Sequence, residues 1–138
     1  MKGKKYCIKW SSISPLKYID LTFVFFFLCA GKTSHAAAAP WEGINALDAA
    51  VACYNNVSMM RQQMKPSNRI HGIVIDGGEK PNIIPERSEL SYYVRALTLT
   101  EASELSERVC NCAKGAAAAA GKICLFTDAT ESIYSHQT

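Results

Sequence analysis

Apolar residues recur at intervals of three and four along two stretches of the chain, and at intervals of two along a third. Ile44, Leu47, Val51, Tyr54, Val57, Met60 and Met64 form the first stripe. That spacing lines one face of an α-helix. Pro66 cannot continue a helix, because its ring removes the backbone donor, so the pattern predicts a helix from Ile44 that stops before it. Ala102, Leu105, Val109, Cys112 and Ala116 repeat the spacing. Thr98 and Glu101 ahead of them stand as a capping box does, and Gly121 is a natural stop. Between the helices, "RIHGIVIDGG" is β-branched and closed by Gly77-Gly78, which predicts a strand and a turn. "SELSYYVRA" sets Leu90, Tyr92 and Val94 against Ser91, Tyr93 and Arg95, the alternation of a half-buried strand. "PNIIP" between them is a constrained connection, since each proline restrains itself and the residue before it.

Two further apolar runs, Leu21–Ala30 and Lys122–Phe126, complete the order strand–helix–strand–strand–helix–strand. This predicts an α+β, ferredoxin-like domain: a four-stranded antiparallel sheet with two helices on one face. Those two runs are expected to supply its outer strands. Phe23, Phe25, Phe26 and Phe27 cannot all face the core, because neighbours on a strand point to opposite faces.

Composition narrows the function. The 138 residues suit one domain, and 49% are hydrophobic, enough for one modest core. The net charge of +3 sits mostly in Lys2, Lys4, Lys5, Lys9 and Lys17. The rest is near neutral, which gives nucleic-acid binding no support. Six cysteines occur without a Cys-x-x-Cys, and no His-x-His accompanies them. The expectation is reduced structural thiols in a cytoplasmic chain.

The stretch "FFFLCAGKTSHAAAAPWEGINALDAA" admits several readings. A phosphate loop needs glycine where Phe26 stands. A secretory signal would explain a basic start, the short apolar run and the small residues after it. A secreted chain would expose Asn56-Val57-Ser58 as a glycosylation sequon, yet that triplet lies inside the first helical pattern. A third reading uses the genetic code. Phenylalanine codons form a pyrimidine tract, Ala30-Gly31 can encode the end of an intron, and Gly121-Lys122 can encode the start of one. On that reading, residues 31–121 are one exon between translated intron segments, 1–30 and 122–138.

The run "GKTSHAAAAPWEGINALDAAVACYNNVSMMRQQMKPSNRIHGIVIDGGEKPNIIPERSELSYYVRA" resembles the dimerisation, or lid, domain of peptidase family M-20 over residues 31 to about 121. The resemblance rests on Gly-Lys-x-Ser-His-Ala-Ala, then Gly-Gly-x-x-Pro-Asn-Ile-Ile-Pro, in order and at fitting spacing. It implies a homodimer through the lid, and dipeptides or N-acyl amino acids as substrates. It also implies a separate catalytic domain holding two zinc ions on His-x-Asp, a bridging Asp and a Glu-Glu pair. Neither His-x-Asp nor Glu-Glu occurs here, so zinc is a cofactor of the full-length family and the chain alone is expected to be inactive. A non-catalytic binding or dimerisation module is the alternative. No nucleic-acid or membrane partner is expected.

The same resemblance assigns three residues. His35 matches a histidine that reaches the partner subunit's active site and donates to the oxyanion formed during amide hydrolysis. Asn82 matches an asparagine that binds the polar end of the substrate. Arg95 matches an arginine that clamps a substrate carboxylate with its two-pronged guanidinium. Without the resemblance, His35 reads as a solvated histidine, Asn82 as an Asx-turn residue and Arg95 as an exposed strand arginine. Gly31, Gly77 and Gly78 read as turn-makers, and His71 and His136 match no functional position.

Overall fold

A computed structural model describes residues 20–121 and 124–134. The basic start, Lys122, Ile123 and His136 lie outside the described residues. Six strands and two helices follow in order: β1 Asp20–Ala30, β2 Ser34–His35, α1 Ala46–Met60, β3 Arg69–Asp76, β4 Ile83–Ile84, β5 Arg87–Ala96, α2 Leu99–Ala119 and β6 Cys124–Tyr134. The long strands form one antiparallel sheet in the order β3-β5-β1-β6, and β2 pairs with β4 in a small second ladder. This is the expected ferredoxin-like plan, but the Leu21–Ala30 run is not the outer strand it was expected to be. β1 is central, paired with β5 on one side and β6 on the other. The last strand also runs well beyond the predicted Phe126, as far as Tyr134.

Both helices lie on one face of the sheet. Toward them point Leu21, Phe23, Phe27 and Cys29 from β1, and Leu90, Tyr92, Val94 and Ala96 from β5. Phe25 packs against the same cluster. Its ring stacks on Phe27 at 6.0 Å, and Phe27 meets Tyr92 edge-on at 5.9 Å. Phe26 takes the opposite side, as strand alternation requires. The alternation predicted for β5 is the one observed. Gly72 sits beneath Tyr92, where a Cβ would collide with the phenol ring.

The caps explain the helix boundaries. Asn45 Oδ1 accepts from the amides of Leu47 at 2.9 Å and Asp48 at 3.4 Å, so α1 begins just after it. A short 3₁₀ turn, Arg61–Gln63, ends it ahead of Pro66. Thr98 Oγ1 accepts from Glu101 N at 3.3 Å to start α2. Gly121, at φ +74°, closes α2. The alanine run between suits a helix, alanine being the best helix former.

One predicted face was misplaced. α1 buries Ala46, Ala49, Ala50, Cys53, Val57 and Met60, whereas Val51 and Tyr54 remain 47% and 37% exposed, Tyr54 with its ring 6.3 Å from that of Tyr92. Small side chains let the helix approach the sheet and α2 closely, and the bulkier apolar stripe turns to the flank. Asn56 is half-buried and donates to the Cys112 carbonyl of α2 at 3.0 Å, so the sequon asparagine ties the helices together.

Candidate functional site

The site begins where β1 ends. Gly31 N donates to the Glu86 carbonyl, and Lys32 and Ile44 exchange two hydrogen bonds of 2.9 Å. Ala46 N donates to the Pro85 carbonyl at 2.9 Å. Three segments therefore meet around Gly31. Its φ is not positive, so Gly31 is required for close approach rather than for a turn. Gly78 does make a turn, at φ +106°, and packs against Pro85; Gly77 has no positive φ. Asp76 Oδ1 accepts from Gly78 N at 3.0 Å, which clamps the loop leading to Asn82.

From this junction β2 runs beside β4. Ser34 faces Ile84 and His35 faces Ile83, and Ala36 N donates to the Asn82 carbonyl at 3.1 Å. The "PNIIP" connection is thus a short strand, and it brings Asn82 beside His35. Both are exposed. His35 Nδ1 accepts from the amides of Ala37 and Ala38, each at 3.2 Å. With Nδ1 accepting, the neutral ring carries its proton on Nε2, which is left free to donate. Small alanines allow this turn to close on its own histidine. Asn82 makes no side-chain hydrogen bond among the described residues, so its amide is not spent on an Asx turn.

Arg95 stands elsewhere. It lies near the far end of β5, eight residues beyond Arg87, or roughly 26 Å along an extended strand. Its side chain belongs to the helix-free face, opposite Thr22 on β1 and Arg69 on β3. One chain therefore unites His35 with Asn82 and keeps Arg95 apart. Trp41, 78% exposed in the 3₁₀ turn Pro40–Glu42 after the alanines, was not singled out from the sequence. Its isolation between Pro40 and Glu42 in a loop was the available signal.

Other chemistry finds little footing. A groove of about 480 Å³ between the start of α1 and the end of α2 is lined by Asn45, Asp48, Ile84, Ala116 and their neighbours, with Asp48 its single titratable group. Among the described residues no three His, Cys, Asp or Glu side chains are grouped to hold a metal ion, so they do not fit a zinc centre. Cys53 is buried and its thiol is pushed up to about 12, first by burial and then by Cys29 and the α2 thiols. Burial also raises Cys110 and Cys112. A nucleophilic cysteine needs the opposite shift. No described helix is long and apolar enough to cross a membrane.

Comparison with known proteins gives the domain a family. The profile of the peptidase dimerisation domain matches residues 21–120. The Xaa-Arg dipeptidase of Mus musculus is 58% identical over 102 residues, which is 74% of this chain and 23% of that protein. A p-aminobenzoyl-glutamate hydrolase polypeptide of Escherichia coli is 32% identical over 88 residues, 63% of this chain and 18% of its own length. A crystal structure of a hydantoinase/carbamoylase family amidase from Burkholderia multivorans superposes with a TM-score of 0.73 at 15% identity. The overlap covers 85% of this chain and 29% of that one. The chain thus spans about a fifth of the length of the curated relatives it matches. On the profile match and the fold together, the chain belongs to the dimerisation-domain family of the M20 peptidases.

Proposed function

We propose that this domain is the lid of a dimeric amidohydrolase acting on dipeptides or N-acyl amino acids. His35 and Asn82 of one subunit and Arg95 of the other would close on the same substrate. The observation that carries this reading is the separation within one chain. A dipeptide backbone spans roughly 7 Å, whereas Arg95 stands roughly 26 Å along β5 from Arg87, the end of that strand that adjoins the Gly31 junction. A composite of two subunits would bring all three to one small molecule.

In this reading Nε2 of His35 donates to the oxygen that gains charge as the amide carbonyl is attacked. The Asn82 amide orients the substrate, and Arg95 holds its free carboxylate. The names of the relatives, an Xaa-Arg dipeptidase and a p-aminobenzoyl-glutamate hydrolase, support amides of α-amino acids as the substrate class. The zinc centre of such an enzyme would belong to a catalytic domain, because the described residues here do not fit one.

A second copy is supported by β3. It lies at the edge of the sheet, and its consecutive Ile73, Val74 and Ile75 are exposed. An uncovered apolar edge strand invites pairing. Antiparallel addition of the partner's β3 would cover it. Cys53, a buried thiol outside any disulfide, supports a reducing, cytoplasmic setting.

The test uses the longer protein that joins this domain to its catalytic domain. His35→Ala should lower kcat on the order of a hundredfold, while Arg95→Ala should chiefly raise KM. Subunits carrying each change are then mixed and allowed to exchange. One site of the mixed dimer combines an intact His35 with an intact Arg95, so up to half of the activity should return. If exchanged dimers stay inactive, all three residues act within one subunit and the composite site is wrong.

A further inference from the structure

We infer that Thr22 and Arg95 together form one carboxylate-binding notch on the helix-free face of the sheet, which deepens the reading of Arg95 as a carboxylate clamp and rests on it. Thr22 stands directly opposite Arg95 in the β1–β5 register. Directly opposed residues of antiparallel strands share a face, with Cβ atoms roughly 5 Å apart. Leu21, Phe23, Val94 and Ala96 point to the helices, so Thr22 and Arg95 point away from them.

Each brings a buried donor without a partner. Thr22 is 1% exposed. Its Oγ1 and the Nε of Arg95 are both buried, and neither has a hydrogen-bond partner among the described residues. Burying a hydroxyl and a guanidinium N–H without partners opposes folding. Two such groups side by side call for one shared acceptor. A carboxylate supplies it: one oxygen takes the Nε–H and the other the threonine hydroxyl, with an Nη–H completing the fork. Arg95 is only half-buried, and its flexible stem lets the guanidinium lift to admit the anion. Arg69, opposite Arg95 on the other side, is tied to the carbonyls of Pro66 and Asn68. It adds fixed positive charge to the same row.

The experiment titrates the purified chain with N-acetylglycine and follows the Arg95 Nε–Hε resonance by NMR. N-acetylglycinamide, which lacks the carboxylate, is the neutral control. The expected result is a saturable shift with N-acetylglycine alone. It should weaken about tenfold in Thr22→Val, since a hydrogen bond to a charged group is lost. Thr22→Ser, which keeps the hydroxyl, should preserve it. Dispersed amide spectra of all variants check the fold. Unchanged affinity in Thr22→Val, with loss in Arg95→Gln, overturns the role of Thr22 and leaves the arginine clamp standing. No shift of Arg95 with either probe overturns the notch and removes the clamp with it. Subunit mixing reads the His35–Arg95 arrangement independently of both outcomes.

Discussion

Replacing Gly31 by alanine adds one carbon at the junction that positions the whole His35 corner. That carbon would stand inside 3.0 Å of the Ile44 carbonyl oxygen, and at 3.0 Å from both Ala46 N and the Pro85 carbonyl oxygen. All three are backbone atoms, and all three are tied. Ile44 is bonded twice to Lys32, and Ala46 N is bonded to Pro85. No side chain can swing aside, so either the start of α1 or the Pro85 segment must move. Overpacking costs about 1–3 kcal/mol. A backbone displacement that also strains a bridging hydrogen bond belongs at the upper end of that range. A loss of about 3 kcal/mol is therefore expected, a large share of the roughly 5–15 kcal/mol that holds a domain together. Gly77 provides the contrast. A Cβ there meets only Leu47 Cδ1 at 3.4 Å and Val74 Cγ1 at 3.8 Å, both ordinary contacts. Gly77→Ala should be neutral, or stabilising by up to about 1 kcal/mol through the unfolded chain. Urea denaturation followed by circular dichroism compares the two. With a slope of about 2 kcal/mol per molar, the Gly31→Ala midpoint should fall by about 1.5 M. A wild-type midpoint for Gly31→Ala, or an equal fall for Gly77→Ala, would refute the close-approach argument.

Two further outcomes follow from the core. The Tyr92 hydroxyl is buried without a hydrogen-bond partner among the described residues, so Tyr92→Phe should stabilise the domain by about 1 kcal/mol in the same assay; a loss of stability would mean that the hydroxyl is satisfied. The Cys53 thiol, raised by burial and by neighbouring thiols from 9.0 to about 12, keeps its proton in the folded chain when the unfolded chain has shed it. Its contribution is intact below pH 9 and is lost as pH climbs toward 12, by at most about 1.4 kcal/mol per pH unit. Urea midpoints at pH 7, 8.5 and 10 should fall only in the last step, and a flat profile would contradict the burial of Cys53.

The alternation of Leu90, Tyr92 and Val94, the capping threonine at Thr98, the stop at Gly121 and the proline boundary at Pro66 were all legible along the chain. Each is a local effect: a strand's two-residue period, a side chain reaching its own helix end, a ring that lacks an amide hydrogen. The α1 face was not legible. Ala46, Ala49 and Ala50 and the larger Leu47, Val51 and Tyr54 give overlapping apolar stripes, and periodicity does not say which neighbour comes close enough to need alanine. The central place of β1 was likewise hidden, because strand order depends on pairing between segments far apart in sequence.

The site divides the same way. Local sequence determined the chemistry available: an imidazole before a run of small residues, an amide between two prolines, and a guanidinium on an alternating strand. Tertiary structure decided which of these meet. The β2–β4 ladder joins His35 to Asn82 across nearly fifty residues of chain, because Gly31 lets three backbones converge where a side chain would hold them apart. The length of β5 carries Arg95 away from that corner and sets it against Thr22 on the neighbouring strand. A sequence lists donors and acceptors in order. Only the register of the strands determines which of them share a face and a ligand.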